Sequence, residues 1–223
     1  MFASSRPRVL PEGLADRVRP VTPVAGRTLP VPPALAPLFP GGSLRRGTTT
    51  VVGGRVGHGA TSLALALLGA ASQAGSWCAA VGLPDPGVVA AVELGVDLRR
   101  VVFVPHPGDG WAGATGDLLR GVDIVLVRPP GHPRPTVARH LVARARERQT
   151  ALVILVEHVR AWPEGADLEL TAGGAEWTGV GQGHGHLQAR RVEVRTGGRR
   201  SAGPGAPRAL WLPTGAGGID GDV

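Results

Sequence analysis

The stretch from Val51 to Leu67, "VVGGRVGHGATSLALAL", holds residue types that bind phosphate: closely spaced glycines, then hydroxyls at the head of an apolar run. Aligned to a phosphate-binding loop, Gly54 is the first glycine, Arg55 to His58 are the four intervening residues, Gly59 is the second glycine and Thr61 keeps the hydroxyl. Ala60 stands where such a loop carries Lys. Glycines let backbone N–H groups converge on an anion, and the start of a helix adds positive potential. Gly54, Gly57, Gly59, Thr61 and Ser62 are therefore candidate binding residues of a vestigial loop. The absent group is the ammonium that holds the β- and γ-phosphates. A hydrogen bond to a charged group contributes about 1.5–3 kcal/mol, so its loss costs roughly one to two decades of affinity.

Composition makes that absence informative. All 24 basic residues are Arg, and the chain has no Lys, Asn or Tyr, the mark of a GC-rich gene. Codon bias exchanges Lys for Arg more readily than for Ala. A second motif agrees: "VDIVLV" is an apolar run of the kind that ends in a magnesium-supporting Asp in P-loop ATPases, and here it ends in Arg128. The expectation is a pseudo-ATPase with no catalytic residue, no cofactor and no metal.

These residues need a scaffold, and the hydrophobic pattern supplies one. "TTTVV", "WCAAVG", "RVVFVP", "VDIVLVR" and "ALVILVE" read as buried strands. They alternate with helices in "TSLALALLGAASQ", "PGVVAAVEL", "GWAGATGDLLR" and "TVARHLVARARERQ", the last with Val137, Leu141 and Ala145 on one face. Such alternation predicts an α/β fold with a mainly parallel sheet covered on both faces. After Glu157 the segments "DLELT", "AEWTGV", "HLQARRVEVRTGG" and "ALWLP" lie between Gly-rich turns and predict antiparallel strands extending that sheet. Val192 and Val194 alternate with Arg191, Glu193 and Arg195, as on a strand with one wet face.

Three regions are expected: a Pro/Arg-rich arm over 1–30 with at most a short helix at "PEGLADRV", a folded domain over 31–213 and a disordered tail over 214–223. "VPPALAPLFPGG" predicts a short apolar helix preceding the core, and "RTGGRRSAGPGAPR" a flexible loop. With 223 residues and 43% apolar content the chain suffices for one sizeable core. No apolar run approaches the ~20 residues that span a bilayer, and no secretory leader is evident, so the chain reads as cytoplasmic, with no membrane partner. Cys78, the single cysteine, lies in an apolar run and reads as a buried thiol.

Taken together, the loop, "VDIVLVR" and "LGVDLRRVVFVPHPGDG" resemble the RecA-like ATPase fold over roughly residues 40–195. RecA's catalytic Glu, just after the strand matched by "CAAVG", would fall near Pro84, with Asp85 next. The connections matching RecA's two DNA-binding loops, "RPPGHPRPT" and "HVRAWPEGAD", are short. A compact RecA relative with these departures and a basic C-terminal region resembles the ImuA family in its actinobacterial form. The resemblance implies a non-catalytic accessory factor of the SOS response and translesion synthesis, nucleoid-associated when DNA is damaged. Implied partners are an ImuB-type inactive Y-family polymerase homologue and, through it, an error-prone C-family polymerase and the sliding clamp. A SulA-type cell-division inhibitor is similar in fold but shorter.

The net charge of +7 makes direct DNA binding or RecA modulation an alternative. Arg190, Arg191, Arg195, Arg199, Arg200 and Arg208 form the dense basic cluster and are the candidate partner or DNA contacts. Arg139, Arg144, Arg146 and Arg148 read as a solvated helix face, and "GHGH" at 183–186 as a hairpin turn rather than a metal site. Trp77 and Trp211 are expected in the core, and Trp111, Trp162 and Trp177 at loops or edges as interface anchors.

Overall fold

The computed structural model describes residues 26–85, 87–179, 185–201 and 206–221. "PEGLADRV" lies outside them. β1 (Thr28–Leu29) and β2 (Leu44–Arg45) form a small antiparallel pair. Nine strands make the main sheet: β3 (Thr49–Gly53), β4 (Cys78–Val81), β5 (Val101–Val104), β6 (Ile124–Val127), β7 (Ala151–Val156), β8 (Leu168–Trp177), β9 (Arg190–Gly197), β10 (Arg208–Trp211) and β11 (Asp220–Gly221). Their spatial order is β11-β10-β9-β8-β3-β7-β6-β4-β5. Pairings from β8 through β3 to β5 are parallel and those from β8 outward to β11 are antiparallel. This is the expected α/β architecture, a large, mostly parallel sheet flanked by helices and continued by C-terminal antiparallel strands.

Every residue of β3, β4, β6 and β7 is buried, as strands covered on both faces require. Successive side chains point to opposite faces, so Val52, Val153 and Leu155 join one apolar cluster while Val51, Leu152 and Ile154 join the other. Helix α1 (Ala60–Gln73) is Ala- and Leu-rich, suits a helix, and buries residues around its whole circumference on the first face. The short α2 (Val88–Glu93) buries only Ala91 there. On the second face lie α3 (Trp111–Leu118) and α4 (Pro135–Arg148), which starts on Pro135 and ends in a left-handed Gln149. The face α4 buries is Ala138, Leu141 and Ala145, with Val137 only partly covered.

Several expectations are corrected. "VPPALAPLFPGG" forms two 3-10 turns, Pro33–Leu38 and Pro40–Gly42, because prolines interrupt α-type bonding, and its Leu35, Leu38 and Phe39 belong to the core rather than precede it. "LELT" and the "AEW" that opens "AEWTGV" belong to one strand, β8, whose irregularity between Gly173 and Glu176 is a bulge. Residues 214–221 are held to the fold: the Thr214 hydroxyl donates to the Gly217 carbonyl, Ile219 packs on the core, and Asp220–Gly221 pairs with Leu210 and Trp211. Trp111 and Trp162 are buried, against expectation, whereas Trp77 and Trp211 are half-buried and Trp177 is exposed.

Cys78 is fully buried in β4. Desolvation, and secondarily the negative charge of Asp123, push its thiol from about 9.0 up to about 12. The folded thiol therefore keeps its proton at a pH where the unfolded thiol has lost it. Its contribution to stability is complete below about pH 9 and declines above that value, at about 1.4 kcal/mol per pH unit, until the folded thiol itself ionises. The native protein is expected to resist iodoacetamide at pH 8.5 and to react fully in urea, as mass spectrometry of the alkylated chain would read.

Candidate functional site

β3 delivers the glycine loop to the carboxyl end of the sheet, and α1 begins at Ala60. Strand, loop and helix thus follow in the order a phosphate loop requires. Gly57 and Gly59 take φ of +84° and +89°, backbone that residues with a Cβ avoid. At Gly59 there is a second constraint: a Cβ would lie 2.9 Å from Val192 Cγ2, so β9 sits directly against the loop. The N–H groups of Gly59, Ala60 and Thr61 find no acceptor among the described residues, as the first turn of a helix leaves them, and neither does that of Gly57 in the loop.

A cavity of about 120 Å³ opens here, lined by the loop from Gly54 to Ser62, by Leu155 to Glu157 and by Arg128 and Arg190. The candidate residues Gly54, Gly57, Gly59, Thr61 and Ser62 all line it. Ala60 is nearly buried and Thr61 is exposed. Arg128 follows β6, which is separated from β3 by β7 alone, and so reaches the same cavity. Pro84 lies in a wider adjoining cleft of about 750 Å³ at the ends of β4 to β7, with His106, His132, His158, Arg128 and Glu157 also in its wall. Such crevices at the carboxyl ends of parallel strands are the usual ligand positions of α/β sheets.

Arg190 departs most from expectation. Foreseen as a surface contact, it is only 7% exposed and points inward. Its Nε donates to the Leu212 carbonyl (2.9 Å), Nη2 to Ser62 Oγ (2.6 Å) and Nη1 to the Gly57 carbonyl (3.5 Å). The guanidinium lies 4.9 Å from the ring centroid of Trp177, a cation–π contact. Burial lowers its pKa from the ordinary arginine value. The alternation of β9 already signalled this: Arg190 shares its phase with buried Val192 and Val194. Glu157, at the end of β7, was likewise not foreseen in the cavity; its position is set by strand order, which no local pattern reveals.

The other cluster arginines are dispersed. Arg199 and Arg200 tie down the turn after β9: Arg199 Nη2 donates to the Gly165 carbonyl (2.8 Å), and Arg200 Nε to Asp167 Oδ1 (3.2 Å). Asp167 is buried and also accepts from the Thr49 amide (3.0 Å), so these two arginines anchor the start of β3. Arg191 is half-buried. Arg195 and Arg208 are exposed on neighbouring strands, Arg208 opposite Val194. On α4, Arg139 pairs with Glu164 (3.2 Å) at an exposed position. Of "GHGH", 183–184 lie outside the described residues. Among the described residues no group of three or more His, Cys, Asp or Glu is placed to hold a metal, and no helix is long and apolar enough to cross a membrane.

Residues 37–164 match a family model described as the MT3502 N-terminal domain. The chain is also similar to an uncharacterized protein, Rv3395c, of Mycobacterium tuberculosis, at 39% identity over 121 residues. That match takes in 53% of this chain and 56% of the relative, so the chain spans little more than half of the relative's length. The family match contains Ala60, Arg128 and Glu157 but ends before Arg190, so the loop lies within the matched residues and its buried cation beyond them. Because the matched span is more than half of the sequence, the chain belongs to the MT3502 N-terminal domain family.

Proposed function

We propose that this chain is a RecA-like pseudo-ATPase that serves as a non-catalytic adaptor in DNA-damage-induced mutagenesis. Its partners in this reading are an ImuB-type inactive Y-family polymerase homologue and, through it, an error-prone C-family polymerase and the sliding clamp. The observation that carries the reading is the composition of one cavity. A phosphate-loop backbone is kept there, while Ala60 replaces the phosphate-binding cation and Arg128 replaces a magnesium-supporting carboxylate. A cation in that second place repels the metal that ATP hydrolysis needs. Support for the assignment to RecA-like proteins comes from the strand–loop–helix order and from the placement of "VDIVLV" two strands from the loop strand. In this reading the protein is cytoplasmic and joins the nucleoid after damage.

Purified protein is expected to hydrolyse Mg-ATP at no more than the buffer rate, measured by phosphate release. Turnover that disappears in Thr61→Val would sink the reading. Exposed cations on neighbouring strands of the sheet extension, Arg195 and Arg208, favour a second reading in which DNA itself is bound. One experiment separates the two. Arg195→Glu with Arg208→Glu is expected to weaken capture of the ImuB-type partner by about tenfold or more, with the melting temperature preserved. DNA affinity that falls steeply with salt and vanishes in the same variant, partner capture being unchanged, would establish the second reading.

A further inference from the structure

The loop cavity holds more positive charge than the loop's own sequence supplies. Arg55 and Arg128 line it from exposed positions and Arg190 from a buried one, against a single acidic lining residue, Glu157. Among the described residues the acceptors of Arg190 are all neutral: the Leu212 and Gly57 carbonyls and the Ser62 hydroxyl. Among the described residues no carboxylate lies within ion-pairing distance of it. A cation removed from water without a counter-ion carries a large desolvation cost, and an anion in the adjoining space offsets it. The loop N–H groups without acceptors face the same need.

We propose that this cavity is a site for one tetrahedral oxyanion of phosphate size, bound without magnesium, with Arg190 of β9 supplying the charge that Ala60 lacks. The loop cavity itself takes the anion alone, and any group attached to it would extend into the wider adjoining cleft. About 120 Å³ is well below the ~300 Å³ at which small-molecule sites begin. On the β9 side, Val192 packs on Gly59 and the Arg190–Trp177 stack closes the wall, so a nucleoside attached to the anion has no room there. Arg128 disfavours a divalent cation. The ligand class is therefore inorganic phosphate or sulfate, or the terminal phosphate of a longer molecule, rather than a nucleoside triphosphate with its metal. The site does not depend on the adaptor role or its partners and stands if no such partner binds.

The full chain is titrated with sodium phosphate in magnesium-free buffer, sodium chloride holding ionic strength constant, and followed by calorimetry and thermal melting. Saturable binding and a rise in melting temperature are expected, with sulfate competing. Arg190→Gln is expected to abolish binding. Arg128→Gln, at an exposed position, is expected to weaken it about tenfold while leaving the melting temperature of the phosphate-free protein unchanged, so the test survives if Arg190→Gln does not fold. Oligodeoxynucleotides distinguish the sources. Competition by a 5′-phosphorylated strand but not by its 5′-hydroxyl twin assigns the site to strand ends, and competition by neither assigns it to free anions. Equal competition by both overturns the proposal, as does a phosphate effect no larger than that of chloride. Magnesium-dependent ATP binding tighter than phosphate overturns it as well.

Discussion

Asp123→Ala is expected to destabilise the protein by about 3–5 kcal/mol, the cost of stranding a buried charge. Asp123 is 5% exposed, at the entry to β6. Its Oδ1 accepts from Arg46 Nη1 at 2.7 Å, and its Oδ2 accepts from the Trp77 amide at 2.8 Å. One carboxylate thus fastens the segments leading into β3, β4 and β6. Arg46 has no reserve, since its Nε and Nη2 are buried without partners among the described residues. Removing the carboxylate leaves a guanidinium with no counter-charge and an amide with no acceptor. At 2–4 °C per kcal/mol for a chain of this size, the melting temperature should fall by roughly 6–20 °C. Arg46→Met with Asp123→Ala removes the stranded cation and is expected to regain part of that loss. A double variant no more stable than Asp123→Ala would show that the pairing is not what Asp123 contributes.

Gly82→Ala is the second large effect, and it acts at the site. Gly82 follows β4 with φ of +75°, and a Cβ there would lie 2.3 Å from the Arg128 carbonyl oxygen. Neither atom can yield cheaply, because the Gly82 amide donates to the Val104 carbonyl and the Arg128 amide to the Val81 carbonyl, both at 2.9 Å. Left-handed backbone alone costs about 1–2 kcal/mol for a residue with a Cβ. Forcing the ends of β4 and β6 apart adds at least the ~0.5–1.5 kcal/mol of a strained hydrogen bond. Gly75 is the internal control: its φ is +90° but nothing lies within 4 Å of a Cβ, so Gly75→Ala should show the conformational cost only. Equal melting temperatures for the two variants would refute the close-approach argument. Because Arg128 lines the loop cavity, Gly82→Ala should also weaken phosphate binding, and Gly75→Ala should not.

The sheet was largely readable from sequence because its central strands are buried on both faces and therefore appear as unbroken apolar runs. "ALVILV" and "VDIVLV" have no competing interpretation. The loop was readable because glycines with positive φ are required at fixed spacing. Strand order is a different kind of information, set by which apolar faces meet, and it is what brings Arg128, Glu157 and Arg190 together. The dense arginine cluster looked like one surface patch in the sequence. Folding sends its members to three different tasks, because residues on a strand alternate in direction and those in a turn are claimed by the nearest carboxylate, here Asp167. The tail escaped because two-residue strands such as β11 have no periodicity to detect. These contacts also change how the C-terminal region should be tested. Removing residues 196–223 would strip buried Leu210 and Leu212 together with any partner surface, so point substitutions at Arg195 and Arg208 are the informative change.

The central position of β3 has a kinetic consequence. It precedes the other strands of the large sheet in the chain, yet both its neighbours come late: Thr49 pairs with Leu152, and Thr50 with Leu168. The loop waits longer still, since the contact between Ser62 and Arg190 closes a separation of 128 residues. Long closures delay folding because their entropy is lost before the contacts repay it, and parallel sheets of high contact order fold in milliseconds to seconds. On the ribosome, at about 5–20 residues per second, the strand feeding the glycine loop must remain without a sheet partner for several seconds. The loop gains its buried cation only after 128 further residues have been made.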